Sequence, residues 1–488
     1  MLSAAMLEAR RRGAQPFAAL RVTWATRGYS LGTDIIASKF AVLDGGQVTH
    51  VTPLGGWDPI EYGSGIAGGE LVVVETKVGV IDIDGSLLEL LETYDPRGSA
   101  AAMDWVLPQL VEADWTPLFR GIVADWERDG PITSLLLKTD DTVLRSPVPS
   151  DIFLRAESGS TDEASIFGTH KPLVTGVHDS WQVTARGMAP TINIRYDEVI
   201  GYWYLASIGQ LVLVRRIFFD GHQQGDAGWS VLNIVQGATR ITVIVIAAGF
   251  QPSKGVVVSF DCEGPDEDGL TVGDALTGAP DQLRMVLSEY VYRPAPLTGW
   301  RGDASVIDAT TWAAASAFFA LHLIEAARRF GGEQEPESGA EVVDSFLQSY
   351  PWARIRWTTL GTLAIDVLDP DDVDPSATAW FDIAKHHEGG QVELAPGDRR
   401  EVYTHVKMPF MWSSAEQKFL TAYEAHDVAA LPEKVVLTVE NIWSQGRLTR
   451  DTPLNPAAPA DPIPALLLET GDEVLLEDGS GHIGLETG

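Results

Sequence analysis

The chain has 488 residues, 45% of them hydrophobic, which is room for roughly two to four ordinary domains and too apolar for a disordered polymer. Its 35 basic side chains face 68 acidic ones, and the net charge of −33 repels phosphate backbones and argues against specific nucleic-acid binding. A single cysteine, Cys262, excludes an internal disulfide framework and any multi-cysteine zinc or iron–sulfur centre.

The opening MLSAAMLEARRRGAQPF has no continuous apolar core, so no secretory signal is expected there. Residues 1–150 read as a β domain. FAALRVTWATRGYSL alternates in part, and ELVVVETKVGVIDIDGSLLELLETY gives two strands or a strand and a short helix. LFRGIVADWERDGPITSLLLKTDD reads as a hairpin. Leu118, Gly121, Val123 and Ile132 to Leu137 form its arms, and Arg128-Asp129-Gly130-Pro131 supplies the turn. Pro147 and Pro149 punctuate the boundary.

Residues 151–270 form a second β domain, with FGTHKPLVTGVHDSWQVTARG, YWYLASIGQLVLVRRIFFDG, RITVIVIAAGF and KGVVVSFDCEG parted by glycine-rich turns. Such Val/Ile strands suit a sandwich or barrel better than a doubly wound sheet. Cys262 ends the last run, where a buried structural thiol fits better than a nucleophile.

The grammar changes in residues 271–368, an α/β module. Leu283, Val286, Leu287, Tyr290 and Val291 fall at helical spacing. ATTWAAASAFFALHLIEAARRFGG predicts one long helix, with Arg328 and Arg329 in its last turn and Gly331-Gly332 as its stop. Its apolar part, Trp312 to Ile324, falls short of the roughly 20 residues that a membrane helix needs. AEVVDSFLQSY is a third helix ending at Pro351, and ARIRWTTLGTLAIDVLDP returns to strand around a glycine. Residues 369–450 are β again, with VELAPGDRREVYTHVKMPFMW and KVVLTVENIW around a possible short helix, SSAEQKFLTAYEAHD. Residues 451–488 combine a stiff proline-rich linker, Pro453 to Pro464, with three apolar runs that each close on Glu-x-Gly. The expected fold class is therefore mainly β and multidomain: small β-barrels or sandwiches with one α/β module of three helices plus a terminal hairpin.

Candidate chemistry is sparse. No Gly-x-Ser-x-Gly elbow, phosphate-binding glycine loop or His-Glu-x-x-His helix occurs. Asp369, Asp371, Asp372 and Asp374 offer oxygens that would suit calcium, as do Asp261, Glu263, Asp266, Glu267 and Asp268, but neither group has EF-hand spacing. Solvated acidic loops explain both groups better than a calcium site does. In Lys385-His386-His387-Glu388 the adjacent histidines of a strand would point to opposite faces, so one zinc site cannot readily use both. The tryptophans, among them Trp181, Trp203, Trp229, Trp300, Trp352, Trp357 and Trp443, fill cores or, where exposed, stack on sugars or fill partner pockets. No catalytic residue and no cofactor is indicated. The short terminal strands cannot form a stable sheet alone, so Leu468, Glu469, Leu476, Glu477, Leu485 and Glu486 are candidate partner-binding residues that add strands to a neighbour's sheet.

Taken in order, these modules resemble the tail and baseplate hub proteins of tailed bacteriophages (distal tail hub, tail-associated or minor tail proteins). The residues that carry the resemblance are the hairpin LFRGIVADWERDGPITSLLLKTDD with its exit Pro147-Val148-Pro149, FGTHKPLVTGVHD, and the module from Leu270 to Leu368. In that module Asp308 stands near the second helix and Gly361 to Ile365 form a "G-x-L-x-I" strand. The terminal Leu-Glu-x-Gly strings resemble the ends of many tailed-phage virion proteins. The resemblance implies a structural, non-enzymatic protein of the virion tail tip, made in the host cytoplasm. It further implies homotrimers or hexameric rings of small tube-like β domains that close the tail tube and pass DNA on ejection. Their partners would be the tail tube, distal tail and fibre proteins, with no specific nucleic acid and no stable membrane insertion. Some hubs carry a peptidoglycan-cleaving domain or a four-cysteine cluster; one cysteine and no Cys-His peptidase segment mean that neither carries over. A carbohydrate- or receptor-binding virion protein stays open as an alternative, and so does a hydrolase of cell-wall or surface polymers whose carboxylates the sequence does not localise.

Overall fold

The computed structural model describes residues 8, 11–12, 17–26, 29–37, 54–58, 60, 71, 73–83, 85–93, 95–106, 114–141, 143–153, 168–178, 189–197, 201–236, 239–250, 252–253, 256–265, 275–291, 306–322, 324–332, 336–350, 352–367, 405–413, 418–426, 436–438, 444–445, 474–475 and 482–483. It is mainly β, with several separate sheets and few helices. Two compact units emerge: Met1–Ser146 with Asp303–Thr311 and Ile355–Ile365, and Pro147–Gly302 with Trp312–Arg354 and Asp366–Gly488.

The first unit is built on a seven-stranded antiparallel sheet. Its strands are β1 (Phe17–Thr26), β2 (Tyr29–Ala37), β3 (Leu54–Trp57), β4 (Glu75–Ile81), β5 (Ala100–Val106), β6 (Thr116–Asp129) and β7 (Ile132–Lys138), in the order β2-β1-β5-β6-β7-β4-β3. The alternation of the sequence sets the faces. Leu20, Val22, Val78, Val80, Met103, Phe119, Val123, Leu135 and Leu137 are buried, and α1 (Ser86–Thr93) adds buried Leu87 and Leu91. The Asp82 carboxylate accepts from Leu87 N and Leu88 N at 3.0 Å each, holding the start of that helix. The β6–β7 hairpin forms as expected, with Asp129 opposite Ile132 and only Gly130-Pro131 between them. Gly130 has φ 58 while proline fixes a negative φ next to it, which is the pattern of a II′ turn.

The second unit carries several sheets. In the first, β9 (His170–His178), β10 (Ala189–Pro190), β13 (Leu213–Phe219), β14 (His222–Gln223), β17 (Val258–Glu263), β18 (Glu325–Gly332) and β25 (Ser444–Gln445) follow the order β14-β13-β17-β9-β18-β25, with β10 also on β17. Strands β11 (Ile192–Asp197), β12 (Gly201–Ser207), β15 (Trp229–Gln236) and β16 (Thr239–Ile246) form a four-stranded sheet, β11-β12-β16-β15. A shared core of Val174, Tyr204, Ile217, Ile244, Ile246, Phe260 and Cys262 lies among these strands. The pair β8 (Pro147–Val148) with β19 (Glu337–Ser338) is a small separate ladder, and a further one, β20 (Ala353–Trp357) with β21 (Leu363–Val367), falls mostly in the first unit. Further along, β22 (His405–Ser413), β23 (Lys418–His426) and β24 (Val436–Thr438) make a three-stranded sheet, and β26 (Val474–Leu475) pairs with β27 (His482–Ile483).

Three helices of the 271–368 stretch appear, with corrections. The first, α2 (Ala279–Met285), carries Pro280 in its first turn and passes into a π-helical turn, Val286–Val291. The third, α4 (Gly339–Ser349), is closed by a Ser338–Glu341 capping box, in which Glu341 N donates to Ser338 Oγ at 3.2 Å. The second, α3 (Ala309–Leu321), stops well before the arginines. Residues 325–332 are the strand β18, so Arg328 and Arg329 do not close a helix. A five-pair ladder onto β9, from Ala327↔Gly176 to Gly332↔His170, overrides the helical preference of Ala-Ala-Arg-Arg. The short helix expected over SSAEQKFLTAYEAHD is also a strand, β23. Its Phe419 ring meets Trp412 of β22 edge-on at 5.0 Å, a cross-strand pair that a helix would forgo.

Candidate functional site

Trp57, at the end of the edge strand β3, meets Trp105 of β5 edge-to-face at 5.7 Å between ring centroids. Four strand spacings separate β5 from β3 in the sheet order, which would be about 19 Å in a flat sheet. The sheet therefore curls strongly about its apolar face, with the two indoles across the mouth of the half-barrel. Neither β2 nor β3 pairs with a further strand among the described residues, so these two strands end the described sheet. Open antiparallel edges are templates for strand pairing with another chain.

The opposite face of this sheet holds a charge cluster. Asp104 is buried and receives Arg21 at 2.9 Å and Arg120 at 2.5 Å. Arg120 Nη1 also donates to the carbonyls of Met103 and Phe119 at 3.0 and 2.9 Å, and the Arg21 guanidinium stacks 5.3 Å from the Trp115 ring. The β20–β21 turn packs on this face: a Cβ on Gly361, which has φ 74, would lie 2.9 Å from Arg120 Cβ. A carboxylate held by two arginines and covered by a turn is a latch within the domain, not an open site.

The second unit buries more charge. Asp261 and Glu263, two residues apart on β17, share a face, while Phe260 and Cys262 enter the core from the other. Arg216 reaches Asp261 at 2.8 Å and Arg215 reaches Glu263 at 2.5 Å. A register shift between Val214 and Arg216 brings these adjacent arginines to one row of carboxylates. On β18 the Arg328 guanidinium is 3% exposed, holds both Glu337 oxygens at 2.5 and 2.7 Å, and bonds Ser345. Burial pushes its pKa below the ordinary guanidinium value against the opposing pull of Glu337.

Cys262 lies directly across the ladder from His178, a juxtaposition no spacing in the sequence announces. Both side chains are buried. Burial raises the thiol well above its usual range, helped by Asp261 and Glu263, and pulls the imidazole down to about 4. The ring's Nε2 lies 3.0 Å from the Thr175 carbonyl. At neutral pH the pair is uncharged and sealed, without the thiolate a nucleophile needs. The expectation of a buried thiol at Cys262 holds.

Gln282 of α2 pins the crossing of these elements. Its Oε1 accepts from Thr175 Oγ1 at 2.9 Å, and its Nε2 donates to the carbonyls of Ala326, Leu276 and Thr277 at 2.7, 3.0 and 3.2 Å. The amide's N–H groups and its oxygen are all engaged inside the unit, so this is a joint rather than a binding group.

Several residues singled out by the sequence lie outside the described ones: Asp369, Asp371, Asp372 and Asp374, the Lys385–Glu388 run, the partner candidates Leu468, Glu469, Leu476, Glu477, Leu485 and Glu486, and Trp181, Trp300 and Trp443. Strands β26 and β27 bracket the second Glu-x-Gly unit in sequence and pair antiparallel. Of the other acidic group, Asp261 and Glu263 are engaged by arginine rather than left for calcium, and Asp266, Glu267 and Asp268 lie outside. No group of three His, Cys, Asp or Glu side chains among the described residues is placed to hold a metal ion. Asp308 caps α3, accepting from Thr310 N and Thr311 N at 3.1 and 3.2 Å. Trp357 is buried, whereas Trp203, Trp229 and Trp352 are half-buried. Sequence reasoning passed over Trp57, which is 37% exposed; an exposed-side tryptophan in a Gly-Gly-Trp strand was its one signal. No described helix is long and apolar enough to cross a membrane.

The fold is thus that of a multidomain, mainly β protein. No family model matches the chain, and no curated protein matches it. Among solved structures, a chain titled "Virion of native gene transfer agent (GTA) particle" covers 53% of this chain and 84% of its own length, at 14% identity and a TM-score of 0.21. A score that low carries no inference about this chain's role.

Proposed function

We propose that the chain is a structural virion protein of a tailed phage, a hub ring component at the distal end of the tail tube that links the tube to host-recognition or tail-fibre proteins. The observation that supports this reading is the curled seven-stranded sheet that β2 and β3 terminate. The hairpin on which the hub resemblance rests, β6–β7, sits at its centre. Curled sheets of that form, set side by side around an axis, make a tube wall. The ring is a homotrimer or a hexamer, and its chemistry is assembly rather than catalysis. A net charge of −33 suits a lumen that passes DNA without gripping it. The proline linker and the terminal Glu-x-Gly strands then reach a neighbouring protein's sheet. A chain truncated after Ala457 that assembles like the full chain would remove that last role.

The test is to image the purified chain. Closed rings with a central channel are the expected result, and a chain that forms no ring at any concentration overturns the reading. One observation favours carbohydrate or receptor binding as a second reading: the part-exposed Trp57, held edge-to-face by Trp105, offers an indole to a sugar ring. Glycan-array binding that Trp57→Ala abolishes would shift the assignment to it.

A further inference from the structure

Natural sheets blunt their edges with charge, proline, bulges or brevity. Nearly every described edge here does so. Strands β14 and β25 have two residues each, β24 three and β3 four. Strand β2 carries Asp34, and β23 carries Lys418 and Glu424. The two edges of the four-stranded sheet differ sharply. Strand β11 is bulged between Asn193 and Arg195 and carries Arg195 and Asp197. Strand β15, WSVLNIVQ, runs eight residues with no charge, proline or glycine, and its register with β16 is unbroken from Trp229↔Ile246 to Gln236↔Thr239.

We infer that β15 pairs with β15 of a second copy of this chain, antiparallel about a two-fold axis, joining two four-stranded sheets into one. Three observations choose this occupant. First, two copies at net charge −33 repel each other, so a contact that adds no local like-charge pair is favoured, and among the described long edges β15 is the one without charge. Second, an unprotected edge needs an unprotected partner, and among the described sheets β15 is the one long edge of that kind, so like pairs with like. Third, apolar side chains are left incompletely covered on both faces of this edge: Trp229 and Val231 pack on the core only in part, and Leu232 on the other face is 39% exposed. A second β15 extends the sheet over them. The contact is isologous, so it doubles whatever symmetry the chain otherwise has. Combined with the proposed three-fold ring it gives a hexamer of two trimers; without a ring it gives a dimer.

Ser230 and Leu232 are both exposed on one face of β15, so Ser230→Lys/Leu232→Lys installs the edge charges that natural sheets use, without touching the core. Light scattering on the full chain and this variant, with the melting temperature as the folding control, gives four readings. A hexamer that becomes a trimer supports both the strand pairing and the ring. A dimer that becomes a monomer supports the pairing and removes the ring. A trimer unmoved by the lysines removes the pairing and keeps the ring, and a monomeric parent removes both. A second measurement does not depend on the lysines folding. The sole cysteine is buried, so Leu232→Cys adds the one reactive thiol; mild oxidation should yield covalent dimers well above those of the exposed control Ser253→Cys. Equal yields overturn the inference.

Discussion

The two units treat buried charge differently. In the first, Asp104 sits beneath Arg21 and Arg120, whose side chains keep 18% and 28% of their surface in water, so the cluster is half hydrated and tied to one sheet face. In the second, the Arg216–Asp261 and Arg215–Glu263 pairs are hydrated to the same degree, but Arg328 and His178 lie almost wholly inside. Half-hydrated pairs relax when a partner is removed, whereas sealed ones leave a stranded charge or a clash. The second unit should therefore be the more sensitive to substitution and to pH.

Gly176 is the sharpest place to break the comparison. It has φ 73, and a Cβ there would lie 2.1 Å from the Ala326 carbonyl oxygen and 2.7 Å from Gln282 Nε2. Gly176→Ala should cost more than about 4 kcal/mol, read as loss of a cooperative melting transition. Glu337→Ala strands the buried Arg328 and should cost roughly 3 kcal/mol, measured by denaturant titration with Glu337→Gln as a milder companion.

His178 gives the pH arm. Its folded pKa of about 4 lies below the ordinary 6.5, so the unfolded chain takes up a proton first as pH falls. Stability should be full above pH 6.5, decline between 6.5 and 4, and lose roughly 3 kcal/mol across that window. Melting temperatures across it should fall more steeply for the parent than for His178→Gln; parallel slopes would show that other groups set the acid limit. In the first unit Asp104→Asn should cost about 2 kcal/mol, because both arginines can turn partly to water. The smallest effect is at Trp57→Ala, about 1 kcal/mol from the lost edge-to-face pair. If Asp104→Asn proved costlier than Glu337→Ala, the contrast between the units would fail.

Much of the fold was legible in the sequence where local signals agree. Gly130-Pro131 after Asp129 forced the β6–β7 turn, Ser338 and Glu341 spelled a helix start, and Gly361 marked the β20–β21 turn with its φ of 74. The Val/Ile runs at 239–246 and 256–263 became strands because β-branched side chains suit a pleated surface. Where local preference and packing disagreed, packing won: Ala326-Ala327-Arg328-Arg329 and Phe419 to Tyr423 look helical in isolation, yet each strand forms because a partner strand is waiting across the ladder.

What the sequence determined by itself was the class, mainly β and strongly acidic, together with the buried thiol at Cys262 and the charge-free composition of residues 229–236. What only the tertiary structure decided were the pairings across distance. It set Cys262 opposite His178, Arg328 on Glu337 and Trp57 against Trp105, and among the described strands it put 229–236 at an edge rather than a centre. The reason is physical: turn chemistry and side-chain period act over a few residues and are written locally. Which strand lies beside which is settled by the burial and hydrogen bonding of the whole sheet, and no short stretch of chain contains that information.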